Sequence, residues 1–346
     1  MTRRKTFLAL VVLAAGASLG SRLLGQDVVK GEWTVRYNPD RDTFHMEARV
    51  HRPGMDSNWS ESISLSDFRA RNLCADQLGA SSVHCEVRRD AGTFTVTGSF
   101  DGTKGAGTIE FSPNAEFGQA MAGLGFPNLS LDQYFSAAMH NIDRGYVRGM
   151  RDAGFRSLSF SQLVELRVHG ITPEYVKTME GLVAGPPDAQ EIVELRIHDV
   201  DPEYVEALHA RGVNPLTSHE LVDLRIHDVS PEFLGAMHDA GYDGLDTHQL
   251  VDLRIHDVKP DYVRGLKSLG MTPTASQLVD LRIHDVTVDF VKGMKDAGYD
   301  HLTPGQLIDL RIHGVDGAYV GELARAGYKN VPVGQLVDLR IHGFPR

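Results

Sequence analysis

The chain repeats itself. The phrase Leu-Arg-Val/Ile-His ends at His169, His198, His227, His256, His284, His313 and His342, at intervals of 29, 29, 29, 28, 29 and 29 residues. A step of 29 back from His169 reaches His140 in a diverged copy, and a further step reaches Phe111. Six residues after each marker stands an aromatic: Phe117, Tyr146, Tyr175, Tyr204, Phe233, Tyr262, Phe290 and Tyr319. Fourteen after stands glycine at Gly125, Gly154, Gly212, Gly241, Gly270, Gly298 and Gly327, with Val183 the exception. A fixed period of this kind means one supersecondary unit that buries its apolar face only against its own copies. Eight units are expected, from about Ser112 to His342.

One unit shows the local chemistry. Ser230 suits a helix N-cap, Pro231 the first helical position, and Glu232 the positive helix end. Phe233, Leu234 and Met237 then form an apolar stripe, and Ala240-Gly241-Tyr242 reads as a Schellman stop. Thr247 is expected to cap a second helix, His248 to about His256, with Leu250, Val251, Leu253 and Ile255 apolar. Helices of about ten residues are unstable alone in water, so the hairpins must stack as an α-solenoid. The single shortened interval falls between Gly270 and Gln277, in a loop, and spares both helices.

The residues ahead of the repeats read differently. Arg3, Arg4 and Lys5, an apolar run from Phe7 to Ala15, and Ala15-Gly16-Ala17 are the parts of a secretory signal peptide. Residues 1–21 are read so, with cleavage after Ala17. The run is shorter than the roughly 20 residues needed to cross a bilayer. Residues 27–111 alternate with period two over Trp33–Tyr37, Phe44–Val50, Val83–Val87, Phe94–Phe100 and Gly107–Phe111, with turn residues between. Five or six antiparallel strands with one buried face are expected, and Ser66–Asn72 reads as one or two helical turns. Cys74 and Cys85, the only cysteines, fit one disulfide in an exported protein. His45, His51 and His84 read as isolated. The expected fold class is therefore α+β: a small antiparallel β domain over 27–111, then an α-solenoid of eight helical hairpins over 112–346.

Charge follows the same division. Of 35 Lys+Arg and 46 Asp+Glu, 14 and 14 lie in residues 1–130, leaving 21 and 32 in 131–346, so the net −11 falls wholly in the repeats. Such a chain lacks the clustered basic residues that bind phosphate backbones, which argues against a nucleic-acid partner. No segment after the leader is apolar enough to hold the chain in a membrane.

Three polar positions recur in the second helix: Glu165-Arg167-His169, Glu194-Arg196-His198, Asp223-Arg225-His227, Asp252-Arg254-His256, Asp280-Arg282-His284, Asp309-Arg311-His313 and Asp338-Arg340-His342. The first unit carries Ser136 and Ala138 instead of the acid and the arginine. One reading is a structural ladder: each arginine is buried and crosses to a carboxylate of the adjacent unit, and each histidine sits at its helix C-terminus against the acid one turn back. The other is a row of divalent-metal or pH-sensitive sites, since Asp and His four apart can share a cation, although two ligands per unit are few for zinc. His219-Glu220-Leu221-Val222-Asp223 begins like a zinc-protease helix but lacks the closing histidine. No serine-nucleophile motif or phosphate-binding glycine loop occurs. No catalytic residue, resident metal or cofactor is expected.

The segment Leu224-Arg225-Ile226-His227-Asp228-Val229-Ser230-Pro231-Glu232-Phe233 resembles tandem repeats of exported bacterial proteins. Similar repeats form C-terminal extensions of membrane metallopeptidase receptors of the penicillin-sensor type. The resemblance covers about 112–342 and implies an extracytoplasmic sensing or docking module. The peptidase motif and its membrane helices are missing, so no catalytic residue carries over. The expectation is a periplasmic or secreted, non-enzymatic scaffold that binds a protein or peptide partner. The alternatives are a ligand or metal sensor on the Asp/His face, and an enzyme with its site in the β domain.

Overall fold

A computed structural model describes residues 28–52, 55–64 and 82–343. The expected leader, Cys74 and the turn expected over Ser66–Asn72 lie outside the described residues. The chain divides into two compact units, Met1–Arg148 and Gly149–Arg346.

Among the described residues the first unit is built on six strands: β1 (Val29–Asn38), β2 (Thr43–Arg52), β3 (Met55–Ser64), β4 (Val83–Arg89), β5 (Gly92–Phe100) and β6 (Lys104–Pro113). They form one sheet in the order β3-β2-β1-β6-β5-β4, and every neighbouring pair is antiparallel. The alternation of the sequence maps onto the two faces. Trp33, Val35, Phe44, Val83 and Phe100 form a buried cluster, with Tyr37, Met46, Val96 and Ile109 packed against it. Trp33 faces Gly107, which in turn faces Gly98. A Cβ on Gly98 would stand 2.8 Å from the indole, and one on Gly107 would stand 1.8 Å from the Thr97 carbonyl oxygen. The indole N–H donates to that same carbonyl at 3.0 Å. The small residues make room for one large one.

Sixteen helices follow among the described residues, two for each expected unit. They are α1 (Ala115–Gly123) with α2 (Leu131–Met139), α3 (Arg144–Asp152) with α4 (Phe160–Val168), α5 (Pro173–Leu182) with α6 (Ala189–Ile197), and α7 (Pro202–His209) with α8 (Ser218–Ile226). Then come α9 (Pro231–Asp239) with α10 (Thr247–Ile255), α11 (Pro260–Ser268) with α12 (Ala275–Ile283), α13 (Val288–Asp296) with α14 (Pro304–Ile312), and α15 (Gly317–Arg325) with α16 (Val333–His342). The fold is α+β, with a repeated helical hairpin after the sheet.

The first hairpin packs on the sheet through Phe135, whose ring meets Phe94 and Phe111 edge-on at 5.5 Å each. Asn114, the N-cap of α1, donates its side-chain amide to the Asp90 carbonyl in the β4–β5 turn. The Asp90 carboxylate accepts from the backbone N–H and Nε of Arg144. That carboxylate holds the Arg144 guanidinium above its ordinary pKa.

In the second unit the helices form two rows. Each second helix from α4 to α16 contacts the next second helix, and each first helix from α5 to α15 contacts the next first helix. The leucines of the second helices fill the space between: Leu221, Leu224, Leu250, Leu253, Leu278 and Leu281 have no exposed surface. Gly317 opens α15 where a Cβ would lie 2.4 Å from the Gly293 carbonyl oxygen of α13, so its lack of a side chain lets the two helices meet.

Both ends of each helix are specified locally. Ser230 accepts from the Phe233 amide and Pro231 is the first helical residue, as read from the sequence. Gly241 is left-handed at φ 80, and the Tyr242 amide donates to the Met237 carbonyl in a Schellman geometry. The second helix, however, starts one residue earlier than expected. Asp246, not Thr247, is its N-cap. Asp246 and Gln249 satisfy each other's backbone N–H in a capping box, an arrangement that recurs at Ser130, Ser159, Asp188, Thr217, Thr274 and Thr303.

The Thr217 box predicts a pH dependence. Glu220 accepts from the Thr217 amide and hydroxyl, and these hydrogen bonds hold its carboxyl below the usual carboxylate range. A lowered native pKa contributes stability that is complete above the ordinary glutamate value of about 4.5 and is lost as pH falls through the native value. Glu220→Gln keeps an acceptor but no titration. The wild type should therefore lose more stability than E220Q between pH 5 and 3, in urea melts at each pH. Parallel losses would show that the box contributes nothing to acid sensitivity.

Candidate interaction surface

The recurring trio is positioned by the second helix. At about 100° per residue, α8 turns Leu221 and Leu224 inward and leaves Asp223 and Ile226 on the outside.

The arginines do not point into a core. Arg196 and Arg340 are exposed and Arg167, Arg225, Arg254, Arg282 and Arg311 are half-buried, which corrects the expectation of a buried arginine ladder. Each guanidinium from Arg196 onward lies over the aromatic ring of its own hairpin. The distances are 5.4 Å for Arg196 on Tyr175, 4.4 Å for Arg225 on Tyr204, and 5.1 Å for Arg254 on Phe233. They are 5.3 Å for Arg282 on Tyr262, 5.4 Å for Arg311 on Phe290, and 4.7 Å for Arg340 on Tyr319. From there Arg254, Arg282 and Arg311 reach the C-terminus of the preceding second helix. Arg254 Nε donates to the His227 carbonyl at 3.3 Å, and Arg282 Nε to that of His256 at 3.5 Å. Their Nη2 groups pair with Asp228 and, at 3.2 Å, with Asp257; Arg311 pairs with Asp285 in the same way. The arginine does cross to the adjacent unit. Its partner is the aspartate just after the histidine rather than the acid of the trio.

This geometry accounts for the first unit. Ahead of α1 stands strand β6, which has no helix C-terminus for an arginine to reach. The position holds Ala138, buried at 1% exposure. The ring of Phe117 packs instead against Tyr134, with centroids 5.9 Å apart.

Asp199, Asp228, Asp257 and Asp285 each adopt left-handed backbone, φ 52 to 56, at the end of the preceding second helix. The Asp228 amide donates to Arg225 and the Val229 amide to Leu224, a second Schellman stop that recurs at Asp199, Asp257 and Asp285. Gly170 and Gly314 do the same job without the carboxylate. Asp228→Ala should lose about 1–2 kcal/mol, from left-handed strain and the lost Arg254 pair, and Asp228→Gly should lose less than half of that. Equal losses in chemical denaturation would show that the backbone strain is unimportant there.

Tyrosines connect successive units. Tyr175, Tyr204 and Tyr262 donate their hydroxyls to the carbonyls of Val200, Val229 and Val286, at 2.7 to 2.8 Å. Burial pushes the Tyr204 and Tyr262 phenols up to about 12 and Tyr175 higher still, so all three remain donors. Tyr242 and Tyr299 reach the Pro273 and Val331 carbonyls of the next loop.

The histidines lie where they were expected, at the C-caps of the second helices, His169, His198, His227, His256, His284 and His313 among them. His342 is instead the last residue of α16. His227 Nδ1 is 3.1 Å from Asp223 and His313 Nδ1 is 3.2 Å from Asp309. Asp252 pairs instead with His248, at 3.2 Å. Each such site holds two ligands. Among the described residues no three of His, Cys, Asp and Glu are grouped as a metal site would require. Glu165, Glu194, Asp280 and Asp338 occupy the same outward helical position as Asp223.

Of the four apolar residues that the sequence places in α10, Leu250, Val251 and Leu253 are buried and Ile255 is not. Ile255 is 54% exposed, and its counterparts Val168, Ile197, Ile226, Ile283, Ile312 and Ile341 are 42 to 59% exposed. Seven large aliphatic side chains, one per second helix from α4 to α16, stand on the outer face of that row. Ile226 lies about 170° from the inward direction of Leu221 and Leu224, between Val222 and Asp223. The signal was present in the spacing, since an apolar residue two after Leu224 falls outside the inward arc. The outer face also contains a position seven residues before each of these side chains. That position drifts through Ser161, Gln190, His219, His248, Ser276, Gly305 and Gly334, all exposed. Its neighbours stay aliphatic and acidic in all seven copies.

The β domain brings one constellation together that was read as isolated. His45 Nδ1 lies 2.9 Å from Ser62 Oγ and its Nε2 lies 3.3 Å from Glu47. All three stand on the polar face of the sheet, His45 and Ser62 exposed. Cys85 lies in β4 opposite Val96. Among the described residues no helix is long and apolar enough to cross a membrane. In comparisons with known proteins, no family model matches the chain, and no match was found among curated proteins or solved structures.

Proposed function

We propose that the protein is a non-enzymatic interaction scaffold that works outside the cytoplasm and holds a protein or peptide partner on its helical repeats. One observation carries this reading: the exposed row from Val168 to Ile341, flanked by one acid per unit. Large aliphatics scattered singly on a surface need no explanation, whereas one at the same outward position of seven successive helices is not scatter and fits an interaction site. β-branched residues are also weaker helix formers than the Glu, Gln or Lys that an exposed helical position ordinarily takes. The leader read over residues 1–21 would direct the chain for export, and a disulfide between Cys74 and Cys85, expected from their number, would suit that compartment.

The test uses the full mature chain as bait in an envelope extract, beside a variant with Ile226, Ile255 and Ile283 all changed to Gln. A partner retained by the wild type and lost by the variant supports the scaffold. No specific partner at any salt concentration, or equal capture by both baits, overturns it.

A further inference from the structure

The outer face of the second helices has a period, and the period constrains what can lie on it. Packed helices stand about 8–10 Å apart, and successive second helices are in contact, so apolar contacts are expected at about that interval along the row. A β-strand presents side chains on one face about every 7 Å, and an α-helix repeats a face at i, i+7 only every 10.5 Å. A polyproline II segment has three residues per turn and a rise of about 3.1 Å. Every third side chain then points the same way at about 9 Å. That is the one regular backbone whose single-face repeat falls inside the interval of the helices.

Charge specifies the remaining positions. On α8 the acid at Asp223 lies next to Ile226, and the same pair recurs as Asp252 with Ile255, Asp280 with Ile283, and Asp309 with Ile312. The Asp223 and Asp309 side chains are 56% and 55% exposed. The arginines of the row are engaged elsewhere, on rings and on Asp228, Asp257 and Asp285. The edge of the strip is therefore acidic, and a second copy of the chain laid face to face would set aspartates against aspartates. A basic partner is favoured.

We infer that the strip from Val168 to Ile341 binds an extended polyproline II segment with an aliphatic or proline side chain at every third position and Lys or Arg between. Seven contacts correspond to about 21 residues of such a segment. The inference deepens the scaffold reading and rests on it.

The test is fluorescence anisotropy with the full mature chain and three labelled synthetic peptides. One is seven repeats of Pro-Leu-Lys, the second has the same composition in scrambled order, and the third places Leu at i, i+7 in a Lys/Ala helix. The repeat peptide should bind at least tenfold tighter than the scramble. Changing Ile226, Ile255 and Ile283 to Gln should remove that preference, and raising salt from 50 to 500 mM should weaken binding. Equal affinity for repeat and scramble overturns the inference, as does tighter binding of the helical peptide or binding indifferent to the three substitutions. If all peptides fail while envelope capture still depends on the three isoleucines, the scaffold stands and this occupant falls.

Discussion

Leu224→Ala should destabilise the repeat array by about 3 kcal/mol, within the 2–5 kcal/mol typical of a buried leucine replaced by alanine. Leu224 has no exposed surface, and its backbone carbonyl accepts the Val229 amide that closes the helix. The cavity would open between two rows of helices, each packed on its neighbours in the stack. Ile226→Ala, two residues away, should cost well under 1 kcal/mol, because more than half of that side chain is already in water. Urea denaturation followed by circular dichroism measures both. Equal losses would mean that the inward and outward faces of α8 are wrongly assigned.

Changing Arg254, Arg282 and Arg311 together to Met should cost about 3 kcal/mol. Each arginine contributes a cation–π contact of about 0.5–1 kcal/mol. Each also pairs with the aspartate after the preceding histidine, a contact weakened by solvent because 26 to 36% of each arginine side chain is exposed. Methionine keeps the packing of the stem against the ring, so the loss reports the guanidinium. Arg196→Met should cost less than any one of the three, because the corresponding preceding position is Gly170 and offers no carboxylate. A triple variant as stable as wild type would show the arginine row to be ornamental to the fold. The phenylalanines at 233 and 290 already show that the tyrosine hydroxyl can be spared at that position, whereas every second helix from α4 to α16 carries the arginine.

The hairpins were legible because each helix announces itself locally. Ser230-Pro231-Glu232 starts one, Gly241 stops it, and the 29-residue interval counts the copies. Three features were hidden for separate reasons. Strand β3 reads Met-Asp-Ser-Asn-Trp-Ser-Glu-Ser-Ile-Ser, a polar segment, and lies at the edge of the sheet, where one side of the strand needs no partner. The left-handed aspartates are not announced by residue type, since glycine is the usual residue at a helix stop. Asp tolerates that conformation too, and Asp228 gains Arg254 by occupying it. Finally, the exposed row at Ile226 is not announced by residue type, since isoleucine is ordinarily a core residue. Its angle on the helix, not its type, decides that it faces water.

The structural row and the displayed row make opposite predictions, and one measurement separates them. It is the thermal unfolding midpoint of the full chain with Ile226, Ile255 and Ile283 changed to Gln. Gln keeps a methylene stem over the helix and is a good helix former. The expected result is a midpoint within about 3 °C of wild type, the scale of surface substitutions in a domain of this size, together with loss of partner capture. A fall of about 10 °C, comparable to that expected of the arginine triple, would mean that the isoleucines hold the repeats together. The row would then not be displayed for a partner.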